Sequence, residues 1–152
     1  MVKSYQGARA VAPREEQQIQ VKDYMTRKLE TFYPEQSMDE AITILLAKRI
    51  SGGPVVDKEN NLIGIISEGD CLKEVVRGKY NNSPQRSGQV RDHMTTDVQT
   101  ILPTLNIFEV AQLFLNRRIR RFPVMEHGKL LGQISQRDVM RAVQSLKEET
   151  WR

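Results

Sequence analysis

At 152 residues, 39% hydrophobic and 28% charged, the chain has the size and composition of one compact domain or two small ones. No stretch approaches the roughly 20 consecutive apolar residues of a membrane helix, and MVKSYQGARAVAPREEQQIQ lacks an apolar core of signal-peptide length, so neither a membrane span nor export is expected. Cys71 is the only cysteine, which excludes an intrachain disulfide and suits a cytoplasmic location; a net charge of +4 is compatible with an anionic ligand without itself indicating nucleic acid.

Residues 1–18 carry no clear period and read as an N-terminal arm, either flexible or a helix that docks on a partner. A first repeat spans 19–76. In it, SMDEAITILLAKR opens with Ser37 and carries Glu40 three residues later, a capping-box signature. Met38, Ala41, Ile42 and Leu45 then place one apolar stripe along a helix. A short apolar run, PVVD, precedes a polar turn; LIGIIS reads as a buried strand and CLKEVVRG as a closing helix. Residues 77–89, RGKYNNSPQRSGQ, read as a linker loop rich in Gly, Asn, Ser and Pro. The second repeat, 90–146, runs the same course. Asn106 and Glu109 open a helix striped by Ile107, Val110, Ala111 and Phe114; FPVME and KLLGQIS follow as strands, and VMRAVQSLKEE as a helix. Residues 147–152 are left as a C-terminal tail.

The letters repeat along with the pattern. VKDYMT at 21–26 returns as VRDHMT at 90–95; Thr31, Glu40, Pro54 and Val55 return as Thr100, Glu109, Pro123 and Val124. One residue then drops out where DKENN gives way to EHGK, in a turn-rich loop that tolerates length changes. Beyond it Leu62, Gly64, Ile66, Ser67 and Asp70 return as Leu130, Gly132, Ile134, Ser135 and Asp138. Each copy reads strand–helix–strand–strand–helix. A unit of roughly 50 residues is marginal alone, so two copies sharing a core are the expected folding unit.

Ser67 and Ser135 stand where a helix N-cap stands, with Asp70 and Asp138 three residues on. The hydroxyls can simply satisfy backbone amides, with the aspartates at the positive helix end. The same geometry suits an anion such as phosphate, and a carboxylate one turn on can accept from both hydroxyls of a ribose. Capping and binding are compatible.

With GGPVVD and GIISEGD in one half and RFPVME and GQISQRD in the other, residues 19–146 resemble paired cystathionine-β-synthase (CBS) domains, the Bateman module. The resemblance implies an α/β (α+β) fold of two tandem β-α-β-β-α repeats related by a pseudo-two-fold axis. It also implies a regulatory adenine-nucleotide site with no catalytic cofactor. Ribose recognition falls to Asp70 and Asp138, with Ser67 and Ser135 beside the ribose-phosphate. The adenine lies in the cleft between repeats, its edge read by backbone near Glu30–Thr31 and Gln99–Thr100. Ile50 and Ile119 stack on its ring. Each pocket combines such a segment from one repeat with the S-x-x-D of the other. Basic residues at Arg120 and Arg121 meet phosphates, where first-half counterparts are Ser51 and Gly52; Arg137 adds a further contact. AMP, ADP or ATP is therefore expected over adenosine or S-adenosylmethionine. The family further implies a homodimer with an isologous interface, for which helices carrying Leu72, Val75, Val76 and Val139, Val143, Leu146 are candidates, and a separate protein target.

Two departures from the family pattern stand out. Gln133 occupies an apolar position, and Gly52-Gly53 either widens one pocket or fits a tight backbone approach.

Other readings fit less well. His93 and His127 are far apart in sequence and expected at the surface, with no metal-ligand spacing. Cys71 has no local histidine to activate it and reads as packing. No P-loop, G-x-G-x-x-G or Ser-His-Asp pattern is present, so an enzyme is not expected. The alternatives are an interaction module that dimerises without nucleotide, and a nucleic-acid binder using Arg117–Arg121. The latter lacks interleaved aromatics of the RNA-binding kind.

Overall fold

The computed structural model describes residues 2–5, 19–80 and 88–150. In chain order these form β1 (Val2–Tyr5), α1 (Val21–Tyr24), α2 (Met38–Lys48), β2 (Gly52–Val56), β3 (Leu62–Ser67) and α3 (Glu68–Tyr80). Then come α4 (Val90–His93), β4 (Val98–Ile101), α5 (Ile107–Arg117), β5 (Arg121–Glu126), β6 (Lys129–Ser135) and α6 (Gln136–Thr150). No described helix is long and apolar enough to cross a membrane. The chain divides into two compact units, one built on Glu30–Val98 and one on Lys3–Leu29 with Gln99–Arg152.

The first unit pairs β2 antiparallel with β3, and Phe32, Met38, Ala41, Leu45, Val55, Ile66, Cys71 and Val90 form its core. Helix α2 starts where expected: the Ser37 hydroxyl accepts from the Glu40 amide at 3.1 Å. It ends at Arg49 in the left-handed region, φ 54°. The strand expected near Thr31 is reduced to a single parallel bridge, Phe32 to Val55. Two backbone bonds make it, from the Phe32 amide to Pro54 and from the Val56 amide to Phe32, each 2.9 Å.

The second unit carries a four-stranded sheet in the order β1-β4-β5-β6. Strands β4 and β5 are parallel, with Ile101 opposite Val124, and β5 and β6 antiparallel. Its core includes Val21, Ile101, Ile107, Val110, Phe114, Phe122, Ile134, Val139 and Ala142. Helix α5 is capped differently from the expected box. Asn106 Oδ1 accepts from the Phe108 amide at 2.8 Å, while Glu109 Oε2 is buried with no hydrogen-bond partner among the described residues. Arg118, φ 51°, ends it in the left-handed region, as Arg49 ends α2.

The short segments that open the two repeats fold with the opposite unit: α1 belongs to the second and α4 to the first. Each is fastened in the same way. The Val21 amide bonds Leu105 O at 2.9 Å and the Val90 amide bonds Gln36 O at 2.8 Å. Asp23 accepts from the Gln20 amide at 3.0 Å and Asp92 from the Gln89 amide at 2.9 Å, which satisfies donors that short helices leave free. Next in each chain segment, Thr26 exchanges two backbone bonds with Gln133 at 2.8 and 3.0 Å, and Thr95 exchanges two with Ile65 at 2.8 and 2.9 Å. The repeated glycines follow from this crossing. A Cβ on Gly132 would stand 2.5 Å from Thr26 O, and one on Gly64 would stand 2.7 Å from Met94 Sδ and 3.0 Å from Thr95 O. Gln133, the departure noted above, sits at this bridge with its side chain half-buried.

Several expectations are corrected. Within the stretch 1–18, Val2–Tyr5 is a strand on the sheet edge rather than a flexible arm or helix; the remainder lies outside the described residues. Of the linker read at 77–89, the part through Tyr80 belongs to α3 and residues 81–87 lie outside the described residues; the tail read from 147 is helical through Thr150, and residues 151–152 lie outside them too. His93 is half-buried against Glu74 of α3 rather than at the surface. Val139, a candidate for a dimer face, is buried in its own core, and Val143 and Leu146 are half-buried.

Candidate functional site

Helices α3 and α6 both begin at the repeated Ser-x-x-Asp, and the local bonding explains why these letters start a helix. The Ser67 amide donates to Asp70 Oδ2 at 2.9 Å, and the Asp70 amide donates to Ser67 Oγ at 3.3 Å. The Ser67 hydroxyl also donates to Asp70 Oδ2, at 2.9 Å. In the second unit the Ser135 amide reaches Asp138 Oδ2 at 2.9 Å and the Asp138 amide reaches Ser135 Oγ at 3.2 Å. Both are closed capping boxes with Asp in the third helical position. The capping role is therefore fully realised. Each aspartate is 7% exposed, its carboxylate boxed at the positive end of a helix.

Around each helix start the structure gathers the same set of segments. In the first unit the register places Gly52 opposite Ser67, and Ser51 O accepts the Glu68 amide at 2.9 Å. Glu30 and Thr31 run past the other side of the glycine pair: a Cβ on Gly53 would stand 2.8 Å from Glu30 O and from the Phe32 ring, and one on Gly52 would stand 2.7 Å from Ile66 O. Of the two readings of Gly52-Gly53, the tight backbone approach is the one seen. Ile50 and Ser51 are half-buried at the mouth of this strand. In the second unit Arg121 lies opposite Ser135, with Ile119 half-buried and Arg120 exposed just before it. The parallel pairing of β4 with β5 brings Gln99 and Thr100 to the same end. Thr100 is 1% exposed, so its side chain belongs to the interior.

The charges differ between the two helix starts. In the first unit the opening turn of α3 carries Glu68 and Asp70. In the second, Asp138 is joined by Arg137, and Arg141 Nη2 lies 3.3 Å from Asp138 Oδ1. With Arg121 opening the adjacent strand and Arg120 just before it, the second start is cationic and the first anionic.

Arg141 is a further residue at this site, following Asp138 at the i,i+3 spacing of a helical ion pair, a readable signal. Arg117, expected only as part of the basic run Arg117–Arg121, takes a specific place here. Its Nη1 donates to Gln99 Oε1 at 2.9 Å, and its guanidinium lies 5.6 Å from the centroid of the Tyr5 ring. That contact depends on where β1 lands, which no local pattern announces.

Cys71, directly after Asp70, is 6% exposed in the first core. Burial, together with the carboxylates of Asp70 and Glu68, pushes its thiol up from its ordinary value of 9.0, which fits a packing residue rather than a nucleophile. Among the described residues no three His, Cys, Asp or Glu side chains cluster as a metal site would require.

A duplicated α/β unit with a boxed Ser-x-x-Asp at the start of each closing helix defines a tandem-repeat protein with two equivalent helix-start clusters. The CBS domain family model matches residues 21–77 and 90–145, and the chain belongs to that family. It is 29% identical over 156 residues to the chloroplast CBS domain-containing protein CBSX2 of Arabidopsis thaliana, covering 86% of this chain and 66% of that protein. It is 30% identical over 125 residues to MJ1225 of Methanocaldococcus jannaschii, covering 82% of this chain and 43% of that one. The chain thus spans 43% and 66% of the length of MJ1225 and CBSX2 respectively. Among solved structures, CBSX2 in complex with AMP superposes with a TM-score of 0.74 at 31% identity, over 84% of this chain and 98% of that one. The CBS domain pair of protein MJ0100, in complex with 5-methylthioadenosine and S-adenosyl-L-methionine, gives 0.70 at 25% identity, over 84% and 97%.

Proposed function

We propose that this protein is a regulatory module that binds an adenine nucleotide, AMP, ADP or ATP, at its helix-start clusters and acts on a separate protein target. The observation that carries the reading is the pair of boxed aspartates, buried and set at helix N-termini. The bonds from Ser67 all fall on Asp70 Oδ2, so Oδ1 is the oxygen to meet a ribose hydroxyl there; at Asp138 the same oxygen lies 3.3 Å from Arg141 Nη2, and a ribose meets it beside that guanidinium. The AMP held by CBSX2 and the adenosine derivatives held by the MJ0100 pair support an adenine ligand.

The second unit is the better host for a charged nucleotide. Arg120, Arg121 and Arg137 surround its helix start, whereas Glu68 stands beside the first. Backbone at Glu30–Thr31 and Gln99–Thr100 reads the adenine edge, and Ile50 and Ile119 pack on its ring. Binding regulates only by favouring one of two states, so the target must respond to a state that nucleotide prefers. Titration calorimetry with AMP, ATP and S-adenosylmethionine tests the reading: saturable binding of AMP or ATP supports it. Folded protein that binds none of them at millimolar concentration overturns it in favour of an interaction module.

We also propose that the module works in the cytoplasm as a homodimer. Leu72, Val75 and Val76 of α3 are exposed at 64%, 41% and 54%, an apolar face of the kind that marks an interface. Sedimentation of Leu72→Glu should shift toward monomer; an unchanged value places the interface elsewhere.

A further inference from the structure

The N-terminal strand does something that the nucleotide reading leaves unexplained. Strand β1 is the outermost strand of the second unit's sheet, laid on β4, the strand that carries Gln99 and Thr100. Its last residue, Tyr5, is half-buried and packs against the second core. The Arg117 guanidinium stands 5.6 Å from the Tyr5 centroid, within the range of a cation–π contact. The same guanidinium donates to Gln99 Oε1 at 2.9 Å. A chain of contacts thus runs from the N-terminal strand through Arg117 to a residue of the proposed site.

We infer that Tyr5 and Arg117 are positioning residues for Gln99, and that the N-terminal strand is thereby coupled to nucleotide occupancy of the second unit. Gln99 is half-buried, and tying down its side chain steadies the backbone at Gln99–Thr100 that reads the adenine edge, freedom that would otherwise be lost on binding. Arg117 fixes its oxygen and so turns its amide NH2 away from the guanidinium. Arg117 is an exposed side chain at the end of α5 and would otherwise sample many rotamers. The Tyr5 ring holds it in one. The first repeat has Lys48 and Glu30 at the positions of Arg117 and Gln99, and no strand lies beside its Phe32 bridge except β2 among the described residues. The latch is therefore a property of the second unit, the one whose basic side chains suit a nucleotide phosphate.

Coupling is reciprocal. If the strand orders Gln99 for the nucleotide, the nucleotide holds the strand. The N-terminal segment becomes a place where occupancy is reported to whatever the chain meets.

The inference rests on nucleotide binding, and the test separates the two. AMP affinity of the full chain is measured by calorimetry for wild type, Tyr5→Phe, Tyr5→Ala and Arg117→Met, with melting temperature recorded for each. Amide hydrogen exchange of β1 is followed with and without AMP. The expected result is Tyr5→Phe near wild type and affinity about two- to fivefold weaker in Tyr5→Ala and Arg117→Met. Tyr5→Ala combined with Gln99→Ala should be no weaker than Gln99→Ala alone, and AMP should slow exchange in β1. Wild-type binding that Tyr5→Ala leaves unchanged overturns the latch while nucleotide binding stands. Absence of wild-type binding removes the nucleotide reading itself. Arg117→Met then still reports on the strand, since unchanged β1 exchange in that variant overturns the latch without reference to any ligand.

Discussion

Glu74 Oε2 and His93 Nε2 lie 3.1 Å apart in the first unit, with side chains 4% and 13% exposed. At the matching positions of the second unit stand Ala142, fully buried, and Tyr24, half-buried on the apolar core. One fold thus fastens its short helix to its closing helix by a polar pair in one copy and by apolar packing in the other. The pair is close without being a directed hydrogen bond, and Glu74 Oε2 has no other partner among the described residues.

A buried polar pair costs most when half of it is removed. His93→Ala should destabilise the protein by about 1–3 kcal/mol in a denaturant titration, because it strands a buried carboxyl group. The double change Glu74→Ala with His93→Tyr, which copies the second unit, should recover most of that loss. A double variant as unstable as the single one would show that the pair contributes something packing cannot replace.

The two repeated glycines should differ in how they tolerate a methyl group. At Gly132 the added Cβ meets backbone, Thr26 O at 2.5 Å; at Gly64 its nearest neighbour is the movable sulfur of Met94 at 2.7 Å. Gly132→Ala is expected to cost about 1–3 kcal/mol by overpacking, and Gly64→Ala less. Equal melting temperatures for the two variants would mean that the crossing segments yield equally.

The raised Cys71 thiol carries a pH consequence. A folded-state value above the unfolded one contributes stability that is whole below the unfolded pKa and is lost as pH rises through the folded one. The loss therefore falls in the alkaline range, above 9.0. Cys71→Ala should flatten the decline of stability there while lowering stability at neutral pH by its smaller packing. Native protein at neutral pH should react slowly with a thiol reagent and quickly once unfolded. Fast labelling of native protein would contradict the burial.

The legible parts of this molecule were those written locally. Ser67 with Asp70, and Ser135 with Asp138, announce a helix start because every bond in the box spans at most three residues. Ser37 and the stripe of Met38, Ala41 and Leu45 announce α2 for the same reason. Duplication then carried each reading across to the second copy. Tertiary choices were silent. Nothing in VKDYMT says that it folds with the unit of Gln99–Arg152, because what fixes it there is a carbonyl of Thr26 arriving over Gly132. His93 looked like a surface residue because Glu74 is distant in sequence, and Val139 looked available because one heptad cannot tell a core face from a dimer face. Tyr5 lay in a stretch without period, and its value comes only from the strand it joins. Candidate ligand residues were legible through the family pattern, and the charge asymmetry between EGD and QRD is printed in the sequence. Their gathering at one end of each unit came from strand register.

The most direct test is AMP titration of the full chain beside Asp138→Ala and Asp70→Ala, with folding of each variant checked by its melting transition. Each substitution removes one half of a capping box, for about 1 kcal/mol of stability. If the boxed aspartates hold a ribose and the second helix start is the better host, wild type binds saturably, Asp138→Ala loses at least about tenfold in affinity, and Asp70→Ala loses less. Folded Asp138→Ala and Asp70→Ala that both bind AMP as wild type does would show that the aspartates cap their helices and do no more.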